Sequence, residues 1–329
     1  METIYHYVGI DVSQAKVDLA YHLLSAKYTT FQVSNQADGF ALLLERLPAN
    51  ACCVMEATGA YHCQLAFFLA EHGIPLVVAN PLSVKHFAKL NLQKAKTDKA
   101  DAVLLAHYGQ RLQPPLWTPP ADELVELKQL YSVVEQFTKQ QTALTNQKKG
   151  LLLMPHYSPK AIAALDNQLA LLKQSLAAVE SQLLDLLQEH YHDLNDRLQS
   201  IPGIGPKTAL MLIVMSQGFQ AFQHAKQLIA FVGLAPRIHQ SGKSIKAPAH
   251  ISKQGTAWLR KLLYLAAMQA KRCNAACRAL YQRLIQKGKN GKVALMAVAN
   301  KLIKQAFAIA KTNAVYQKNY KPNFILAKA

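Results

Sequence analysis

The chain has 329 residues, 51% hydrophobic and 17% charged, which is enough apolar material for buried cores and excludes a disordered basic tail. It holds 37 Lys and Arg against 19 Asp and Glu, a net charge of +18. The signs are segregated: residues 1–200 carry 16 basic and 19 acidic side chains, and residues 201–329 carry 21 basic side chains and no acid. Such a block cannot balance its own charge and calls for a polyanion, of which nucleic acid is the commonest. No uninterrupted apolar run reaches the ~18 residues of a membrane span, and the first residues show no secretory signal, so we expect no membrane and a bacterial-type cytosol. The cysteines are five (Cys52, Cys53, Cys63, Cys273, Cys277), an odd number without a CxxC pair, which argues against a disulfide framework. Cys273 and Cys277 lack neighbouring ligands for zinc.

In chain order, residues 5–11 read as a strand, 17–24 as a second after a turn, and 27–33 as a third able to pair with it. Helical spacing follows at 37–47, a short apolar strand at 51–56, a helix at 61–72 with Gly73 as its stop signal, and a strand at 74–79. Helices are expected at 82–90 and 97–112. Strands interleaved with helices argue an α/β sheet domain. Pro114, Pro115, Pro119 and Pro120 punctuate a linker, after which 122–199 shows sustained apolar stripes of long helices, suited equally to packing within one subunit and to an oligomerising coiled coil. From 201 onward the pattern is helices, Gly-rich turns and lysines.

Two acids, Asp11 and Glu56, sit at the ends of apolar strands, an expensive place for an unpaired charge. Either alone could simply accept hydrogen bonds from backbone amides. The segment KTDKADA adds Asp98 and Asp101, three apart and therefore on one helix face, where like charges repel. Asp98 alone would be explained as a helix-start acid. Four carboxylates together form a hard-oxygen set suited to Mg²⁺ or Mn²⁺, and metal ions in such a set serve phosphodiester chemistry.

In the basic block, IPGIGPKTA (201–209) has the look of a helix-hairpin-helix turn: Gly203 and Gly205 allow close approach to a phosphate, and Lys207 adds charge. An ordinary tight turn is the competing explanation. Arg237, Lys243, Lys246 and Lys253 surround the serines Ser241, Ser244 and Ser252, while Arg260 and Lys261 flank an apolar helix stripe running from Trp258 to Ala266. A serine in such a turn ordinarily caps a helix or contacts phosphate, and nucleophilic use requires an activating metal or base. Aromatic residues are sparse here, so phosphate contact should dominate affinity.

The motifs GIDVSQAKVD, EATGAY, NPLSVKHFA and AKTDKADA, followed by IPGIGPKTA, FVGLAPRIHQSGKS, ISKQG and GKNGKVALMAVANKLIK, resemble in order and spacing the DEDD transposases of the IS110 family and the related Piv-type DNA invertases. The resemblance implies three parts: an α/β RuvC-like (RNase H-type) catalytic domain at 1–115, a helical coiled-coil connector at 116–199, and a mainly α-helical basic transposase domain at 200–329. It maps the metal-binding acids to Asp11, Glu56, Asp98 and Asp101. It maps the catalytic serine to Ser241 in the SG motif, with Ser244 the next candidate. It further implies donor and target DNA as partners, a structured guide RNA, and homodimers that pair into tetramers. Two departures stand out. Asn91 replaces a glycine common before KTD, with a left-handed turn expected to be kept by Asn, and IKAPAH replaces a Gly-rich stretch after Ser244. The leading expectation is a transposase or site-specific recombinase acting through a metal-assisted serine. A junction resolvase or nuclease using metal-activated water is the second, and a non-catalytic nucleic-acid scaffold the third.

Overall fold

A computed structural model describes residues 5–22, 27–92, 97–237, 240–241, 245–246 and 250–318, with backbone alone at 240–241 and 245–246. The chain divides into two compact units, Met1–Pro119 and Pro120–Ala329.

The first unit is built on β1 (His6–Val12), β2 (Lys16–Tyr21), β3 (Thr29–Ser34), β4 (Ala51–Glu56) and β5 (Leu76–Ala79), with α1 (Ala37–Arg46), α2 (Cys63–Glu71), α3 (Pro81–Leu90) and α4 (Asp98–Leu112). The sheet order is β3-β2-β1-β4-β5; the first three strands are antiparallel, and β4 and β5 run parallel to β1. Both faces are covered, which explains why β4 is apolar at every position but its last. Cys53 and Met55 join Val8, Ile10, Leu43 and Leu65 in one core layer, while Cys52 and Val54 join Val84, Phe87 and Leu105 in the other. Burial pushes the Cys52 thiol up to about 11 and the Cys53 thiol up as well, so both are inert packing groups.

Gly9 is the closest approach in this unit. A Cβ there would lie 1.9 Å from the Ala102 carbonyl oxygen and 2.4 Å from the Ala106 nitrogen. Backbone therefore meets backbone where α4 crosses β1, and only glycine permits it. The proline-rich segment also holds to this unit: the Trp117 amide donates to the Leu76 carbonyl (2.6 Å), and its ring meets Phe67 edge-on.

The end of α3 departs from expectation. Asn91 keeps a negative φ (−85°, with ψ 8°), its side-chain amide donating to the Phe87 carbonyl at 2.8 Å, and the left-handed position is taken by Leu92 (φ 52°). By donating back to the helix, the Asn91 side chain holds its own backbone as a C-cap at negative φ and passes the left-handed turn to the next residue.

The second unit opens with the hairpin of α5 (Asp122–Leu152) and α6 (Pro159–Gln199). Lys148 and Asp166 pair across it, and α6 kinks at Tyr191 (φ −132°), whose hydroxyl donates to Glu123 at 3.1 Å. Then come α7 (Pro206–Ser216), α8 (Ala225–Val232), two short strand pairs, α9 (Ala257–Cys273), α10 (Ala275–Gln286) and α11 (Gly291–Thr312). The strand pairs are β6 (Pro236–Arg237) with β9 (His250–Ile251), and β7 (Gln240–Ser241) with β8 (Ile245–Lys246). Leu124, Leu127 and Tyr131 of α5 and Leu183 and Leu187 of α6 share one core with α7–α11, so the root of the hairpin is packed inside this unit. At its tip Leu152, Leu153, Met154 and Tyr157 stay exposed. The apolar stripe of α6 is buried or half-buried along its length, and the bare apolar surface lies beyond it at the tip.

By length and composition alone, α11 could cross a membrane, despite its interrupting lysines. Half of its apolar window is instead buried in this core, where Val298, Leu302 and Ile303 are fully covered. Asn274 is the polar knot of the unit. Fully buried, it caps α10 through Cys277 N (3.2 Å), donates to Gln305 of α11 (3.1 Å) and to the Pro202 carbonyl (3.3 Å), and accepts from the Tyr316 hydroxyl (3.2 Å).

Gly9→Ala should destabilise the protein by about 3 kcal/mol or more, since the clash is with backbone that no rotamer can relieve. Urea unfolding followed by circular dichroism checks this; a change under ~1 kcal/mol would mean the α4–β1 approach is looser than described.

Candidate active site

The parallel pairing of Ile10 with Met55 carries one residue on to Asp11 and Glu56, which therefore end adjacent strands side by side. The crossing at Gly9 sets the first turn of α4 over the same end of β1. Thr97 caps that turn, its Oγ1 accepting from the Ala100 amide at 3.2 Å, and so starts the helix at Asp98 with Asp101 one turn on. The four acids singled out from the sequence are thus brought together within one unit. Their mutual field is visible at Asp11, whose carboxyl is raised to about 6. Burial contributes most, followed by the charges of Asp101, Asp98, Asp18 and Glu56.

Asp18 is the residue that sequence reasoning passed over. It is the cross-strand partner of Asp11, so both side chains leave the same face, and it is almost fully buried. Gln32 on β3 donates to both its oxygens (2.9 and 3.0 Å), and the Lys16 ammonium lies 3.7 Å away. Lys16 also reaches Asp98 at 2.9 Å, which holds that carboxyl below its ordinary range. The signal was present: in KVDLA an acid sits between two apolar residues of a strand, with a hairpin turn separating it from Asp11. Ser13 secures that turn by donating from its amide and its hydroxyl to the Lys16 carbonyl.

The donors are all carboxylate oxygens crowded enough to raise a pKa, and in chemistry they fit a hard divalent cation. Among the described residues no three acid, His or Cys side chains are closed into a coordination sphere. The cation now bridging Asp18 and Asp98 is Lys16.

In the second unit, Gly203 takes φ 105° with Ala270 of α9 directly behind it, where a Cβ would come within 2.5 Å. Gly205 precedes α7 with open space at its Cβ position. Lys207 is engaged by Glu180 at 3.2 Å, and Arg260 donates to the Val232 carbonyl at 2.8 Å, closing the end of α8. Arg237, Lys253 and Lys261 are exposed. Ser241 lies on β7 opposite Ile245, and Lys246 on β8 opposite Gln240. The side chains of Ser241 and Lys246, and the whole of Gly242, Lys243 and Ser244, lie outside the described residues. Cys273 is exposed and Cys277 buried, both as free thiols.

Two family models match the chain: one described as Transposase at residues 8–156, and one described as Transposase IS116/IS110/IS902 family at residues 195–282. The chain is 31% identical over 323 residues to the pilin gene-inverting protein of Moraxella lacunata, covering 95% of this chain and 98% of that one. The Moraxella bovis protein of the same name is 30% identical over the same shares. The transposase for insertion sequence element IS1111A of Coxiella burnetii is 29% identical over 237 residues, 64% of each chain.

Because Asp11 holds its proton up to about pH 6 in the folded state, against about 4 for an ordinary carboxyl, the native state binds more protons between those values. Its contribution to stability is present below about pH 4 and lost as pH rises through 6. Asp11→Asn should flatten that fall and raise stability at about pH 7. Urea midpoints measured across this range for both proteins check it, and parallel curves would refute it.

Proposed function

The chain belongs to the IS110 family of transposases and is a DNA recombinase of that class, and on this footing we propose that it cuts and rejoins DNA with Ser241 as nucleophile and Asp11, Glu56, Asp98 and Asp101 as metal-holding acids. The observation that carries the reading is the convergence of those four acids at the ends of β1 and β4 and the start of α4, felt as the raised Asp11 carboxyl. The mixed sheet, three antiparallel strands continued by two parallel ones, supports a RuvC-like identity for the first unit.

Bound Mg²⁺ or Mn²⁺ would supply Lewis-acid stabilisation of the charge that develops on the phosphate. The chain's own residues do the rest. Asp11, Glu56 and Asp101 present oxygens from three rigid elements, and Gln32 holds Asp18 in place behind them. Lys16 neutralises Asp98 until the site is loaded. Ser241 Oγ gives up its proton and forms a bond to phosphorus as the bond to a deoxyribose oxygen breaks, and that oxygen leaves as a hydroxyl bearing a proton. Rejoining is the reverse, with the hydroxyl of the new strand attacking the phosphoserine and Ser241 recovering its proton. Exposed basic residues of 201–329, Arg237, Lys253 and Lys261 among them, hold the nucleic acid, both the DNA sites and the structured guide RNA that the family resemblance implies. The exposed leucines at the α5–α6 tip supply a dimerising surface from which tetramers assemble.

Asp11→Ala and Ser241→Ala should each reduce recombination of a two-site plasmid at least ~1,000-fold while leaving DNA affinity within a few-fold. The parent protein should give a protein–DNA adduct that survives denaturation, and Ser241→Ala should not. Recombination by Ser241→Ala would move the nucleophile to Ser244, and cleavage without any adduct would favour metal-activated water.

A further inference from the structure

The second unit contains a cavity of about 630 Å³ that the recombination chemistry above does not use. Its floor is apolar, with Leu234, Ile251 and Met296, and Val293 stands at its open edge. Its rim is cationic, with Lys253, Lys292, Lys301 and Lys304. None of these lysines forms an ion pair with a described residue, and residues 201–329 contain no carboxylate to form one. On α11 the lining positions recur at Val293, Met296, Ala297, Asn300, Lys301 and Lys304, spacings of three and four that make a single stripe. Val293 is 49% exposed, an aliphatic group left open between cations. The opposite wall is the β6–β9 pair, and the chain between those two strands carries Ser241.

We propose that this cavity receives an unpaired nucleotide of the DNA strand, its base on the apolar floor and its flanking phosphates on the lysine rim. A duplex keeps its bases stacked inside, so its phosphates would meet the rim and leave the floor bare. A base taken out of the stack offers an apolar face that matches the floor, with anionic phosphates on either side. The volume falls in the ~300–1,000 Å³ range of pockets that enclose molecules of nucleotide size. The position at the base of the Ser241 segment places a captured nucleotide next to the strand to be cut in the proposed reaction. The inference rests on the chain acting on DNA. Its test reads binding alone, so it can fail while the serine chemistry stands, and the reverse.

The test uses the full chain and fluorescence anisotropy on three probes of one sequence, each about 20 nucleotides: single-stranded DNA, duplex DNA and single-stranded RNA. Ala297→Trp fills the cavity without changing charge and should weaken single-stranded DNA binding about tenfold, with duplex binding changed less than about twofold. Val293→Asn, neutral and on the exposed edge where folding is not at risk, should show the same selectivity. Photocrosslinking of a 5-iodouracil-substituted single strand to the unaltered protein should label the peptide spanning residues 292–304. Unchanged single-strand affinity in both variants would overturn the proposal, as would equal losses on single strand and duplex, or crosslinks confined to other peptides. An effect of the variants on RNA without one on DNA would assign the cavity to RNA and overturn the proposed occupant.

Discussion

Where α4 crosses β1, helix backbone and strand backbone are separated by nothing larger than the hydrogen of Gly9. That approach fixes both the height and the axial position of the helix over the sheet. Thr97 fixes where the helix begins, so the crossing point and the cap together decide where Asp98 and Asp101 fall. The acids of the site are held by strands and a helix, elements whose geometry does not drift, and the precision comes from a missing side chain. Two neighbouring strands end together because β1 and β4 are parallel, a relation that the α1 crossover creates. The site is thus a product of topology as much as of composition.

Concentrating carboxylates costs stability, and the structure shows how the cost is contained. Asp11 stays protonated further up the pH scale than an ordinary carboxyl, Asp18 is spanned by an amide that donates to both its oxygens, and Asp98 is matched by an ammonium. The Lys16 ammonium serves both the most buried acid, at 3.7 Å from Asp18, and the most exposed, at 2.9 Å from Asp98, but only the buried one also receives hydrogen bonds from a neutral amide.

Much of the first unit was legible in the sequence because its strands are short apolar runs bounded by turn residues, and β4 was located to the residue. Asp11 and Glu56 were legible because an acid ending an apolar strand is conspicuous, and Asp98 and Asp101 because acids three apart share a helix face. Asp18 was not, since an acid inside a strand looks like an ordinary outward-facing residue until the register pairs it with Asp11. Asn91 shows a different limit: its ability to take a left-handed turn was readable, but the hydrogen bond to Phe87 that keeps it out of one was not. In the basic block, charge was legible and its use was not. Lys207 and Arg260 read as phosphate contacts, yet one is engaged by Glu180 and the other closes α8. Whether a lysine is free depends on partners far away in sequence, and only the fold supplies them.

The absence of acids after residue 200 reaches into the helix ends. The five helices α7–α11 follow the N-caps Gly205, His224, Thr256, Asn274 and Asn290, and none has an acid in its first turn. Helices ordinarily place carboxylates there, where they quench the partial positive charge of the free amides. Here no first turn supplies one. The helix starts therefore add local positive potential to that of the lysines and arginines, matched by negative potential at the helices' other ends. These contributions do not titrate, and no substitution of a basic side chain removes them.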